Sequence, residues 1–509
     1  LEYKSNFLST QKIIEIPRLS ITLATIQCAL SLLRLWCVEM EVHDVSKQSE
    51  KSHKSHDTIF IGKVRQIIAT VCLGPICFGV AFTWTSPVLP QLLEGNATNF
   101  SGTGLSVSDG SWVGSMVAIG ELVASVPLGY LVGRYGAKIC TLLLLVPMLI
   151  FTFIAIFLND VYSLCIARFF SGMATGGICV VGPVYISEIS QISFRGVLGS
   201  LFEMLIYVGM VFVSVIGAYL DYIKLTIIVG VLNLLIGLVF FYLPDSPTHL
   251  IKMNKREKAA KALRFYRHSN YEVDNDLDEL YERIHKAERS ERFTFETLKS
   301  RVVIRGLIAT VGLTIFQQLS GIDGIAFYLV QIFQAAQTNI DDYTSAIIVA
   351  VAQFVSALIV LFIIEKANRK TFLHVSAIGM AVCLAAVGAF YQLKKNDIYF
   401  PGLNAIPIVG LVMHAFAYSV GLGPIPWIVN GECFAADVSG VANGIIMTVN
   451  VFVLFLITKI SPIVMDSHGT EYVFYFYAIC MVLCVVFVHF CVIETKGKSL
   501  HAIQLELSS

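Results

Sequence analysis

Residues 317–328 read Gln317-Gln318-Leu319-Ser320-Gly321-Ile322-Asp323-Gly324-Ile325-Ala326-Phe327-Tyr328. Two amides, a hydroxyl, a carboxyl group and two aromatics sit inside an otherwise apolar, helix-length run. Polar side chains at membrane depth are costly, so they face a partner or a water-filled cavity. A carboxamide donates and accepts hydrogen bonds at once, which suits a ligand covered in hydroxyls. The run points to a polar, neutral solute crossing a membrane.

The surrounding composition agrees. Of 509 residues, 56% are hydrophobic and only 14% charged. A soluble domain carries roughly 25% charged residues. The net charge is zero, so nothing suggests nucleic acid as a partner. Runs of about 20 apolar residues read as membrane-spanning helices, and the lipid bilayer is the implied surrounding. Twelve are expected, at 66–89, 111–132, 138–158, 162–186, 198–220, 224–243, 303–335, 344–364, 371–391, 403–431, 441–464 and 472–493. The fold class is therefore an all-α membrane protein.

Lys and Arg set the orientation. Arg134, Lys138, Arg195, Lys366, Arg369, Lys370, Lys496 and Lys498 fall on one side, as does the basic segment 248–302. The opposite connections are poor in bases, apart from Lys224 and the pair Lys394-Lys395. Both termini and the segment 248–302 are thus expected in the cytoplasm. The 90–110 connection is expected outside, with glycosylation acceptors at Asn96 and Asn99. The twelve Cys read as small apolar packing residues, with no disulfide framework or zinc site.

Five stretches follow: 1–60, a six-helix half at 61–247, a charged helical insert at 248–301, a second six-helix half at 302–494, and a tail at 495–509. Residues 1–39 read as a gene-model extension, or alternatively as an interfacial amphipathic helix. The halves repeat. Gly133-Arg134-Tyr135-Gly136-Ala137-Lys138 corresponds to Glu365-Lys366-Ala367-Asn368-Arg369-Lys370, and Pro183 to Glu188 corresponds to Trp427 to Glu432. Two halves built from one ancestor are a transporter design, with the solute site between them at mid-membrane.

These residues resemble the sugar porter family of the major facilitator superfamily, from about residue 66 to 505. Its signatures occur in order: the basic loop 133–138, Arg168 with Gly172 and Gly176, Pro183 to Glu188 with Arg195-Gly196, and Pro244-Asp245-Ser246-Pro247. Gln317 to Gly321, Glu365 to Lys370, Gly423-Pro424-Ile425-Pro426-Trp427 and Glu494 to Leu500 follow. Trp84 with Thr85-Ser86-Pro87, and Asn450 with Thr458-Lys459, are most similar to the insect facilitated trehalose branch.

The resemblance implies two pseudo-symmetric six-helix halves and a monomer that needs no cofactor. It places Gln317, Gln318, Gln353, Trp427 and Asn450 at a sugar site. It also implies a cytoplasmic charge lock, with Arg134, Arg195 and Arg369 facing Glu188, Asp245, Glu365 and Glu432 when the carrier is open outward.

The chain departs from the family at several positions. Gly133, Ala137, Ala435 and Ser439 thin the charge lock. Glu203 and Asp323 stand where relatives carry Gln and Asn. A protonated carboxyl mimics an amide, whereas an ionised one only accepts. These two acids suggest a pH-sensitive site or a solute other than a plain neutral sugar, against drift in a diverged paralogue. Proton-coupled relatives place an acid in the first span, where this chain has Ala81. The leading expectation is a plasma-membrane carrier moving trehalose or a hexose down its gradient by alternating access. A proton symporter using Glu203 or Asp323 and a non-transporting sugar sensor are the alternatives. No nucleophile–base set, metal cluster or phosphate loop suggests an enzyme.

Overall fold

Several spans begin where a side chain closes the first helical turn. Ser106 accepts the backbone N–H of Asp109 at 3.1 Å, Asp160 that of Ser163 at 3.1 Å, and Asp341 that of Thr344 at 3.0 Å. The computed structural model describes residues 53–94, 104–158, 160–267, 273–289, 300–363, 368–434, 436–498 and 500–508. The readings at 1–39, Asn96, Asn99 and Glu365 lie outside the described residues.

Among the described residues, twelve helices are long and apolar enough to span: Gly62–Leu93, Val107–Tyr135, Ala137–Phe157, Val161–Ile189, Phe194–Gly217, Tyr222–Tyr242, Arg301–Phe327, Asp342–Leu361, Arg369–Lys395, Leu403–Cys433, Val438–Ser467 and Thr470–Cys491. They are numbered one to twelve in that order and match the twelve expected runs, with shifted ends. Their outer surfaces show large apolar side chains such as Phe153, Phe241, Val382 and Phe490. Such side chains lie against lipid without cost.

Each half has its own core. Trp84, Phe151, Leu164, Tyr222 and Val229 pack in the first, and Phe333, Leu384, Phe390, Phe474 and Met481 in the second. Small residues let backbones approach closely, as lipid-embedded helices require. A Cβ on Gly120 would strike the carbonyl of Phe169, and one on Gly172 that of Val117. Spans two and four therefore cross backbone to backbone.

Between the halves, residues 247–289 form helices Pro247–Lys252, Arg256–Tyr266 and Asp274–Arg289 around Leu250, Ala259, Leu263 and Leu277. This insert is bonded to the first half. Tyr266 Oη lies 2.8 Å from Tyr185 Oη, and Arg267 donates to the Ile189 carbonyl at 2.9 Å. The side of the bundle that carries it is here the insert face, and the opposite side the far face. Two of the basic residues that break the charge bias on the far face are paired with acids: Lys224 meets Asp221 at 2.8 Å, and Lys395 meets Glu471 at 2.5 Å.

The seventh span is broken. Its pieces are Arg301–Leu319 and Ile322–Phe327, and a further helix, Leu329–Ala336, follows them. Gly321, at φ 77°, makes the first break. That left-handed backbone favours glycine, and a Cβ there would also run into the Tyr477 ring.

On the far face the halves touch. Phe82, Leu89, Ala118 and Met210 of the first half share an apolar cluster with Phe327, Tyr328, Val451 and Leu454 of the second. Gln334 donates to Glu94 at 3.2 Å, Tyr343 to the Pro87 carbonyl at 3.4 Å, and Lys459 to the Ser111 hydroxyl at 2.7 Å. These contacts all join the halves away from the insert.

Candidate sugar site at the junction of the halves

The break in the seventh span places two adjacent amides in different settings. Gln317 Nε2 donates to the carbonyls of Leu422 and Gly423, both at 2.9 Å, where the tenth span is itself interrupted. Its Oε1 accepts from Asn450 Nδ2 at 3.4 Å. Gln317 thus ties spans seven, ten and eleven together. Gln318 Nε2 donates to Asn450 Oδ1 at 3.3 Å, and its side chain lies beside the Asp323 carboxyl. The Gln318 carbonyl oxygen, in a side chain only 4% exposed, has no partner among the described residues. A buried acceptor left open costs about 1–3 kcal/mol, which a ligand hydroxyl would recover.

Glu203, on the fifth span, is exposed into a cavity lined by Ser200, Tyr207, Ser419, Gly423 and Pro424. Tyr207 and Tyr418 lie within electrostatic range of both Glu203 and Asp323. A second recess is lined by Gln353 with Thr83, Ser214, Ile325 and His414. Gln353 therefore lines the same junction but in a different recess from Glu203. Trp427 is 41% exposed and does not line either cavity.

Reading the sequence alone misses Glu121. It is buried in the second span, accepts from Thr175 Oγ1 at 2.8 Å, and lies within electrostatic range of Asp323 and Arg168. An acid inside a 29-residue apolar helix was the available signal. Arg168 is fully buried. It donates to the Ala81 carbonyl at 2.7 Å and to Thr85 Oγ1 at 2.8 Å, and stacks on Trp84 at 5.2 Å. The first-span position without an acid thus meets the guanidinium through its backbone oxygen.

The charge-lock residues on the insert face bond within their own halves. Arg195 donates to the Ser187 carbonyl and Ser190 Oγ, and Arg134 lies over the Tyr135 ring. Asp245 accepts the Ser246 N–H, and Glu188 lies beside Ser246. Arg369 approaches Glu432 at 3.7 Å. The halves are joined by hydrogen bonds on the far face, while Glu203 is exposed in its cavity between them.

Twelve spans in two halves with a polar site between them define a multi-pass membrane transporter of the major facilitator fold. The chain matches the family described as "Sugar (and other) transporter" over residues 41–507, and it belongs to that family. It is 31% identical to the facilitated trehalose transporter Tret1 of Culex quinquefasciatus, over 87% of this chain and 86% of that one. It is 29% identical to Tret1 of Aedes aegypti over 92% of this chain, but spans only 58% of that longer protein. Its fold is similar to that of the inward-open xylose transporter XylE from E. coli, with a TM-score of 0.73 at 20% identity, covering 87% of this chain and 98% of that one. The family is one of transporters, not enzymes.

Proposed function

We propose that this chain carries trehalose or a hexose down its gradient across the plasma membrane by alternating access, as a monomer. The Gln318 carbonyl carries the reading: a buried, open acceptor beside Asp323 and Asn450 at the junction of two halves. The naming of its relatives as facilitated trehalose transporters supports the substrate class. The Lys and Arg bias makes the insert face cytoplasmic, so the conformation described is open inward and closed outward. Outward opening would break the far-face contacts and bring Arg134, Arg195 and Arg369 towards Glu188, Asp245, Glu365 and Glu432 of the facing half.

Glu121 supports a second reading, proton-coupled symport, because it supplies a buried acid near Arg168. Against it, Arg168 is already bonded to the neutral Ala81 carbonyl and Thr85 hydroxyl. Tracer uptake in transport-null cells, with and without a proton gradient, separates the readings. Equilibration independent of the gradient is expected. Gradient-driven accumulation would favour symport, and saturable binding without uptake would leave only a sensor.

A further inference from the structure

The cavity of Glu203 and the recess of Gln353 are stacked along one seam between the halves. Span five lines the first with Glu203 and Tyr207, and the second with Met210 and Ser214. Span eight gives Ala357 and Leu361 to the first, and Val349 and Gln353 to the second. Span ten gives Ser419 and Gly423 to the first, and Leu411 and His414 to the second. On each span the second pair is further from the insert, so the two are here the near and the far recess. At a rise of about 1.5 Å per residue, the three helices set their middles roughly 10–12 Å apart.

The broken stretch of span seven runs from one to the other. Gln317 donates to the Gly423 carbonyl of the near recess, the Ser320 carbonyl meets His414 of the far one, and Ile322 lines the far one itself. Gln318, with its open carbonyl, lies on that stretch.

The far recess offers polar groups with nothing to bond. Thr83 is 4% exposed, and its hydroxyl has no partner among the described residues. Thr226, Thr310, Thr314 and Thr458, also buried, each donate to the carbonyl four residues earlier in their own helix at 2.7–2.8 Å. Thr83 does not. The side-chain amide of Gln353, a buried residue, likewise makes no hydrogen bond among the described residues. His414 Nε2 lies 3.1 Å from the Ser320 carbonyl, which can only accept, so the ring proton is on Nε2 and Nδ1 is left as an acceptor. Ile322, Ile325 and Leu411 supply apolar wall. The volume is about 20 Å³, room for one hydroxymethyl group and not for a ring. Such a group brings a carbon for the apolar wall and a hydroxyl that both donates and accepts.

We propose that the far recess is the subsite for a second sugar unit. The ends of a two-unit solute lie in the two recesses with Gln318 between them, and Thr83 and Gln353 hold the terminal hydroxymethyl of the far unit. One pyranose with its hydroxymethyl does not bridge the separation, whereas two linked rings do. This rests on the sugar-transport reading and names the solute class within it: a disaccharide, preferred over a hexose. The far recess has walls from both halves, Thr83 from the first and Gln353 and His414 from the second, so its occupant is read by both.

The test uses the full chain in lipid vesicles, with trehalose, trehalose lacking both primary hydroxyls, and glucose as probes. In the wild type, trehalose should compete for uptake at about tenfold lower concentration than either other sugar, since a buried hydroxyl pairing is at stake. Thr83→Val keeps the shape and removes the hydroxyl. It should lower the preference for trehalose over glucose about tenfold, and should add little to the loss already seen with the deoxygenated disaccharide, whose group for that hydroxyl is gone. A structural role for Thr83 would instead weaken all three sugars alike, and that outcome overturns the proposal. So does a deoxygenated disaccharide that competes as well as trehalose in the wild type, which would leave the far recess holding water alone. That comparison needs no variant, so a poorly folding Thr83→Val does not decide the matter. Uptake of glucose without a preference for trehalose overturns the inference and leaves sugar transport standing. Uptake of neither overturns both.

Discussion

Lys459 reaches from the eleventh span to the second, its ammonium 4.0 Å from the centre of the Trp112 ring and 2.7 Å from the Ser111 hydroxyl. The contact joins the halves on the far face and must break for that face to open. A cation over an indole contributes about 1 kcal/mol, enough to change a two-state ratio about fivefold. Lys459→Met should therefore raise the far-face-open population. A cysteine-free form carrying Ala118→Cys, which sits in the apolar seal, should react correspondingly faster with an impermeant maleimide added from the far side. An unchanged labelling rate would show that the contact does not hold the face shut.

Gln318 and Gln317 should separate by phenotype. Gln318→Ala should raise the KM for sugar about tenfold or more while leaving surface expression intact, since one buried acceptor or donor is worth about 1–3 kcal/mol. Gln317→Ala should instead lower thermal stability, because it frees the carbonyls of Leu422 and Gly423 and cuts a three-helix tie. Uptake kinetics paired with detergent melting distinguishes the two. Equal loss of stability in both variants would remove the division of labour.

Glu494 should make the start of the ninth span acid-sensitive. Burial alone would raise its pKa, but the backbone N–H groups of Lys370, Lys496 and Arg369, at 3.0, 3.0 and 3.1 Å, hold it below the ordinary glutamate range. A depressed folded pKa contributes stability above the unfolded value and loses it as the pH falls through the folded one. Melting temperature should drop below the ordinary glutamate range in the wild type and respond less in Glu494→Gln. Parallel profiles for the two would dissociate Glu494 from the effect.

Topology is checked directly. A tag placed after Ser509 should be reachable by antibody only in permeabilised cells. Staining of intact cells would reverse the orientation drawn from Lys and Arg.

Much of this architecture was legible because spans are long apolar runs, and a run survives any uncertainty in its neighbours. The amides Gln317 and Gln318 were legible as costly polar groups, but not their separate uses. That depends on the interrupted tenth span, which turns the Leu422 and Gly423 carbonyls towards one amide and not the other. Gln353 was grouped with them by the family resemblance, and the helix it rides places it in the recess with His414. Glu121 escaped because its meaning lies in Thr175 and Arg168, which are brought to it only by the close crossing of spans two and four. Lys459 was read as a mark of lineage, since nothing local reveals that its reach ends on the opposite half.

The break at Gly321 divides labour within a single helix. Before it lie the amides, fastened to spans ten and eleven; after it lie Phe327 and Tyr328, which belong to the far-face seal. A rigid rod through this region would make every change at the gate shift the binding groups as well. With a glycine joint, the lip and the binding pocket can be altered separately. Selection can then retune which solutes are admitted without disturbing what is bound, and the reverse.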